Sequence, residues 1–398
     1  MNELLPKRAT RFAALLALAL FFVIAVYSAT GLEAYFLASS GLHEDIARAI
    51  QLSPWNSAYA LDYARSETEE SGAMLQRAVR LSPYNAAAWM DIGMRFELAG
   101  DHSAAERALL EAAQRDRTFQ PAWTLANYYC RRQNPREFAT WMRRAAIMSY
   151  EDPKPLFELC RRASDDQKFI LDEALPSTGR ILRAYLEYLV ARNLWEDAAP
   201  VAGRLTAAAN SADAPALLAY CDVVLEAGRP AAHLLPSARH VWNSLCERKI
   251  LPYSPIDERR SSITNSTFSN PTVDHAFDWR IVPNLTGVEQ GATGPGWRIA
   301  LNGKQAEHCV FLMQFIPSVP GAHYQLRSRL TTAGLAPQNG ISWRVADAIS
   351  GTDIASGARG IQATSALLRL SLEYHRAPGT VRAEGTVNIE DVEWVKLP

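Results

Sequence analysis

The stretch AAAWMDIGMRFELAGDHSAAERALLEAAQRD, residues 86–116, decides the helical half of the fold. Its aromatic residue returns at a fixed interval, because Trp89 is followed by Trp123 and then by Phe157 at equal spacing. A fixed period of this length indicates a repeat architecture in which each unit is one supersecondary element. The sequence therefore predicts an array of stacked helical hairpins rather than a single folded core.

The repeat extends in both directions from this stretch. Upstream, LSPWNSAYA at 52–60 is a near copy of LSPYNAAAW at 81–89, at a slightly shorter spacing than the one between the tryptophans. Downstream of residue 160 the copies fade, but residues 181–205 and 214–247 each still read as an apolar helix, a turn and a second helix.

The best copy resembles the tetratricopeptide repeat, a helix-turn-helix unit of about 34 residues. The matching positions are Trp89, Ile92, Gly93 and Phe96 on the first helix and Ala105, Leu109 and Ala112 on the second. Pro54 and Pro83 match the terminal proline of that family, whereas Arg117 and Glu151 replace it in later copies. The resemblance implies a concave surface that binds protein or peptide partners. The alternative is a spacer without a partner. We also expect Trp89 and Trp123 to be largely buried between helices.

The N-terminal region contains an uncharged apolar run from Phe12 to Leu32. At 1.5 Å per residue this run spans about 30 Å, the thickness of the hydrocarbon core of a bilayer. Lys7, Arg8 and Arg11 precede it and Glu33 follows it, so the N-terminus is expected in the cytoplasm and the bulk of the chain outside it. A cleaved signal peptide is the rival interpretation, although its apolar core is normally shorter.

The character of the sequence changes near residue 250, where a Pro-, Ser- and Asn-rich linker precedes alternating two-residue patterns. About eight short strands with Gly/Pro turns predict a β-sandwich of jelly-roll type. The first strand is expected in ITNSTFSNPTV at 263–273, and a turn at Pro317–Gly321 separates two central strands. These segments and GTVNIEDVEWVKL at 385–397 resemble galactose-binding-like and carbohydrate-binding jelly rolls. The combination is similar to bacterial envelope proteins that act in surface-polysaccharide settings.

Three Trp-Arg pairs raise the question of a ligand site in this module. They lie in FDWRIV at 277–282, GWRIAL at 296–301 and ISWRVA at 341–346. In a strand the Trp and the Arg point to opposite faces, so each Trp either fills the core or forms a platform for a sugar ring. The candidate ligand-binding residues are Asp278, Trp279, Arg280, Trp343 and Arg344, with Trp279 the first choice.

Composition and motifs argue against several other functions. The net charge of -1 is a poor match for nucleic acid. The five cysteines form no C-x-x-C pair, and no nucleotide-binding, metalloprotease or hydrolase motif is present. We therefore predict no catalytic residues, no metal site and no cofactor.

Together these observations predict a multidomain protein, α then β. The expected parts are a cytoplasmic tip and transmembrane anchor (1–40), tetratricopeptide repeats (41–160), degenerate helical repeats (161–250), a linker (251–262) and a jelly-roll β-sandwich (263–398). The predicted protein is a non-catalytic scaffold of the bacterial cytoplasmic membrane that binds proteins through its repeats and a glycan through its sandwich, in envelope polysaccharide synthesis or export. A purely structural interaction protein and an atypical glycan-acting enzyme are the alternatives.

Overall fold

A computed structural model describes residues 4–65, 70–257, 262–355 and 360–398. The chain divides into two compact units between Tyr150 and Glu151. Unit 1 is helical, and its helices are α1 (Leu4–Ser39), α2 (His43–Leu52), α3 (Ser57–Arg65), α4 (Ser71–Leu81), α5 (Ala86–Leu98), α6 (His102–Arg115), α7 (Phe119–Arg131) and α8 (Pro135–Met148).

The hairpin of α5 and α6 shows why the repeat sequence folds as it does. Gly93 on α5 lets the second helix approach, because a Cβ atom at this position would lie 2.6 Å from the side chain of Leu109. Gly100 takes the left-handed conformation that ends α5 (φ +80°). Asp101 then caps α6 by accepting a hydrogen bond of 3.0 Å from the Ala104 backbone N–H. The predicted helical hairpin is confirmed.

The two repeated tryptophans are neither fully buried nor exposed. Trp89 and Trp123 are both of intermediate exposure, so the prediction that they are largely buried is met in part. The Arg115 guanidinium lies 4.8 Å from the centre of the Trp89 ring, and Phe119 stacks on Trp123 at 5.8 Å. Each indole therefore packs along one face and leaves an edge in solvent.

Helix α1 continues beyond its apolar run and becomes part of the repeat array. Its segment Phe12–Ser39 is long and apolar enough to cross a membrane, judged by length and composition. Near its end, Ala34 is fully buried in a cluster with Ile46 and Ala49 of α2 and Tyr59 of α3. One continuous helix thus joins the apolar segment to the first hairpin.

Unit 2 begins with further helices and continues into strands. The helices are α9 (Lys154–Ala163), α10 (Gln167–Phe169) with a π-helical turn at Ile170–Ala174, α11 (Gly179–Val190), α12 (Trp195–Ala207), α13 (Ala214–Glu226) and α14 (Leu235–Glu247), with 3₁₀ turns at Ser211–Asp213 and Arg229–Leu234. The repeat register survives here. Arg192 pairs at 3.0 Å with Glu158, one repeat length earlier in the sequence, as Arg131 pairs with Glu97 in unit 1 at 2.8 Å.

The β-region of unit 2 forms two antiparallel sheets. The strands are β1 (Arg280–Ile281), β2 (Val288–Ala292), β3 (Trp297–Asn302), β4 (His308–Pro317), β5 (His323–Ala333), β6 (Ile341–Asp347), β7 (Ile361–Gln362), β8 (Leu367–His375) and β9 (Glu384–Lys396). One sheet has the order β1-β4-β8-β6 and the other β2-β3-β9-β5-β7. A shared apolar core, with Phe311, Leu370 and Ile389 fully buried, lies between them. The predicted α-then-β fold class with a β-sandwich is confirmed.

One expectation about the start of the β-region is wrong. Residues 263–273 form no strand. The side chain of Asn265 bonds the backbone of Asn270 through both its amide and its carbonyl, and such local bonds compete with a strand ladder. FDWRIV contributes only the two residues of β1. Helices α9 to α14 and the sandwich belong to the same compact unit. Residues 258–261 of the predicted linker lie outside the described residues.

Candidate functional site

Trp279, the first-choice sugar platform, is a core residue. Its side chain is 0% exposed, its ring stacks on Phe268 at 5.1 Å, and its Nε1–H donates to the Asn265 carbonyl oxygen at 3.2 Å. A platform needs an open ring face, so the prediction of Trp279 as a sugar-binding residue is wrong. Trp279 directly precedes β1, and it lies on the same side as Ile281, which packs against the same core.

Its neighbour Arg280 points the other way and binds the helices of unit 2. The guanidinium donates to Asp222 at 2.6 Å and also to Glu226, both on α13. It lies 4.9 Å from the centre of the Phe315 ring. The side chain is only 13% exposed, so Arg280 is engaged by the protein itself and is not available to a ligand.

Asp222 is the centre of this contact. Besides Arg280, it accepts from the Ala276 backbone N–H at 2.6 Å and contacts His275 Nδ1 at 2.5 Å. The sequence analysis did not identify it. A signal was present, because Asp222 and Glu226 are the acidic residues of the otherwise apolar helix α13 and stand one turn apart.

Asp278 completes the junction between helices and sandwich. Its carboxylate accepts from the Tyr253 hydroxyl at 2.8 Å and from the Val273 backbone N–H at 2.6 Å. Burial raises the pKa of Asp278 to about 6, although these hydrogen bonds oppose the shift. Next to it, Phe277 meets the Trp242 ring of α14 edge-on at 6.0 Å. Asp278 and Arg280 therefore hold two parts of unit 2 together, and their predicted role in ligand binding is wrong.

The second predicted pair, Trp343 and Arg344, lies in a different setting. Both line an open cleft of about 680 Å³ that includes Gln325 of β5 and Asp353, which follows β6. Trp343 is half-buried, and its Nε1–H has no hydrogen-bond partner among the described residues. Arg344 remains 46% exposed while it contacts Asp353. Of the predicted site residues, this pair is the one that faces a cavity.

A buried carboxylate, that of Glu373, forms an ion pair with Arg344. Glu373 on β8 accepts from Arg344 at 3.3 Å, from His308 Nε2 at 3.0 Å and from the Ser371 hydroxyl at 2.6 Å. Burial alone would raise the pKa of Glu373, but these hydrogen bonds outweigh it and the pKa lies below its ordinary value. Because Glu373 is held as an anion, it does not have the raised pKa that a general acid for glycoside cleavage requires.

Two further tryptophans of the β-region pack against other aromatic rings. Trp297 contacts Phe268 at 5.7 Å, and the fully buried Trp394 stacks on Tyr324 at 5.1 Å. Within the described ranges, no group of three or more His, Cys, Asp or Glu side chains is arranged to hold a metal ion.

Unit 1 carries an open groove between α3, α4 and α5. Its volume is about 670 Å³, and Met94 and Leu98 of α5 line it with exposures of 42% and 89%. Arg65 lies on the same surface in a 2.8 Å ion pair with Asp91. Arg95 also lines the groove and has no ion pair among the residues that the structure describes. The groove thus combines exposed apolar side chains with a basic one.

Comparisons with known proteins found matches among solved structures alone. No protein-family model matches the sequence, and no curated protein matches it. Among solved structures, YrrB, described as a TPR protein with an unusual peptide-binding site, matches with 13% identity and a TM-score of 0.27, over 52% of this chain and 100% of that chain. PilW, a type IV pilus biogenesis factor, matches with 15% identity and a TM-score of 0.24, over 50% and 93%. A TPR protein fragment from Cytophaga hutchinsonii matches with 16% identity and a TM-score of 0.28, over 54% and 93%.

The helical part of this chain is a tetratricopeptide-like solenoid. This assignment rests on its helical hairpins and on the regular spacing of the repeated sequences.

Proposed function

We propose that the protein is a non-catalytic, membrane-anchored scaffold whose solenoid binds a segment of another protein. The groove of unit 1 carries this proposal. Leu98 and Met94 expose apolar surface side by side on α5, one turn apart, and apolar surface of this kind on a solenoid favours a docked partner. The basic Arg95 beside them fits a segment that carries an apolar side chain next to a carboxylate.

Site-specific photo-crosslinking tests the proposal. A photoreactive residue at position 98 should crosslink one protein segment in native membranes, and the same group at position 147 should not. Ile147 is a matched control because it is also exposed and apolar but lies on α8.

A peptide made from the crosslinked segment then gives a quantitative test. Leu98→Asp should weaken its binding by at least about tenfold in calorimetry, which corresponds to about 1.4 kcal/mol. Ile147→Asp should leave the affinity unchanged. Equal affinities for wild type and Leu98→Asp would exclude this groove as the binding surface.

The anchor is a second part of the proposal. The 12–32 run and its basic flank support an uncleaved span with the N-terminus in the cytoplasm. A reporter that is active only outside the cytoplasm, fused after Pro398, should be active, and the mature chain should retain residues 1–30. Cytoplasmic reporter activity would contradict this topology.

A glycan is the second candidate ligand, and the cleft at Trp343 and Arg344 favours it. The half-buried indole of Trp343 beside the guanidinium of Arg344 and the carboxylate of Asp353 suits the C–H faces and hydroxyls of a sugar. The resemblance of the sandwich to carbohydrate-binding modules supports a role in envelope polysaccharide synthesis or export.

A glycan array with the full-length chain tests this ligand. Arg344→Met should abolish binding of any positive glycan, whereas Arg298→Met should not, because Arg298 is the exposed arginine of the Trp-Arg pair on β3. No positive glycan, or equal loss in both variants, would leave the solenoid as the proposed binding surface and remove the cleft.

A further inference from the structure

The geometry of the first hairpin places one of its turns beside the apolar part of α1. Helix α2 runs back along α1, because the two helices share a buried cluster and are joined by a short turn at Ser40–Leu42. Its ten residues retrace about 15 Å. The end of α2 therefore returns to the level at which the apolar run of α1 finishes.

Trp55 marks this level. It lies in the turn between α2 and α3, and its ring stacks on Tyr27 of α1 with centroids 6.1 Å apart and planes 12° apart. Tyr27 precedes Leu32, the last residue of the apolar run, by about 7.5 Å along the helix. Both rings are largely exposed, Trp55 by 57% and Tyr27 by 58%. The exposed surfaces of these two rings lie beside the apolar segment of α1, and no described part of the protein covers them.

The next repeat presents an aromatic residue at the equivalent place. Trp55 stands in SPWN at 53–56 and Tyr84 in SPYN at 82–85, and Tyr84 is 83% exposed. The two turns lie at the same end of their hairpins, because Arg77 of α4 donates to the Pro54 carbonyl oxygen at 2.8 Å shortly before α4 reaches the second turn. Arg80, which precedes that turn, is exposed.

We propose that the turns 53–56 and 82–85 rest at the boundary between the phospholipid headgroups and the upper acyl chains of the bilayer that α1 crosses. This proposal rests on the anchor proposed above. Trp and Tyr concentrate at the membrane-water boundary because their rings are apolar and their N–H or O–H groups stay hydrated. Exposed Arg80 adds positive charge that suits anionic headgroups. The solenoid is thereby seated on the membrane surface through its first two turns rather than tethered above it.

Fluorescence quenching by lipid tests the position of Trp55. The full-length chain is reconstituted into phosphatidylcholine–phosphatidylglycerol vesicles with and without bromine on the upper acyl chain. Bromine should quench a component of the emission close to that of one tryptophan among the ten in the chain. Trp55→Phe should remove this component. Trp123→Phe, the matched control at a half-buried tryptophan of a later repeat, should retain it.

The outcomes separate this inference from the anchor itself. Alkaline extraction and N-terminal sequencing show whether the chain stays in the vesicles with α1 intact. Retention together with equal quenching in wild type and Trp55→Phe would overturn the seating of the turns and leave the anchor standing. Release of the chain, or cleavage near residue 30, would overturn both. Circular dichroism should give the same melting temperature for Trp55→Phe and wild type, because the side chain is mostly exposed.

Discussion

At the scale of single residues, Asp278 makes the stability of the folded chain depend on pH. Its pKa is raised to about 6 by burial, so the folded chain holds this proton at pH values where the unfolded chain has released it. The contribution of Asp278 to stability therefore falls as pH rises from about 4 to about 6 and is fully unfavourable above that range. At 1.36 kcal/mol per pKa unit the effect amounts to about 3 kcal/mol.

We expect Asp278→Asn to remove this dependence. The free energy of unfolding of the variant, relative to wild type, should rise by up to about 3 kcal/mol between pH 4 and pH 7 in urea titrations. Asp347→Asn is a control of opposite sign. Burial would raise the pKa of Asp347, but hydrogen bonds from Thr364, Ser365 and the local backbone lower it, so that variant should lose most stability at neutral pH. A difference between Asp278→Asn and wild type that stays constant over this range would contradict the prediction.

Trp279 and Trp343 show what a local pattern leaves open. Both belong to the same Trp-Arg motif, which predicts that Trp and Arg face opposite sides of a strand. The motif does not reveal which side is covered. The cover over Arg280 comes from Asp222, 58 residues earlier, and the cleft beside Trp343 depends on a segment after its own strand. Both features arise only once distant segments have packed together.

At the scale of helices and strands, the repeat was predictable because its signal is local and repeated. Gly93 and Leu109 meet in one hairpin, and the spacing of the copies confirms the register. The Asn-rich segment at 263–273 was not predictable in the same way. The side chain of Asn265 replaces strand pairing with local hydrogen bonds, and composition alone does not distinguish such a segment from an edge strand.

A pair of glycine substitutions tests the close approach of α5 and α6. Gly93→Ala should destabilise unit 1 by about 1–3 kcal/mol, because the new methyl group would lie 2.6 Å from Leu109 atoms. Gly72→Ala, on α4, has nothing within 4 Å and should stabilise the chain by about 0.4–1 kcal/mol. The measurement is thermal unfolding followed by far-ultraviolet circular dichroism. Equal effects of the two substitutions would argue against tight packing at Gly93.

At the scale of the whole molecule, the boundary between compact units lies inside the helical array instead of at the change from helices to strands. The sequence marks the change of composition near residue 250 clearly. It marks the ionic contacts that join α13 to β1 only through the two acidic residues of the otherwise apolar helix α13, which name no partner. Domain organisation therefore followed from composition only in part.

Arg280 provides a test of this organisation. In hydrogen exchange at increasing urea, amides of α13 and β4 should open together in the wild type. Arg280→Gln should separate the two openings by about 2–3 kcal/mol, because it leaves Asp222 partly buried without its cation. Arg298→Gln, at the exposed arginine of β3, should keep them joined. Openings that remain coincident in Arg280→Gln would show that apolar contacts such as Phe277 with Trp242 are sufficient.

The continuity of α1 has a mechanical consequence. The helix passes from the apolar run to the buried Ala34 without a break, so no hinge separates the apolar segment from the first hairpin. As a membrane span, it would respond to hydrophobic mismatch by tilting, since a helix longer than the local hydrocarbon thickness inclines in the bilayer. The first hairpins would incline by the same angle. Bilayer thickness would then set the direction in which the groove at Leu98 faces, and lipid composition would adjust the access of a partner to it.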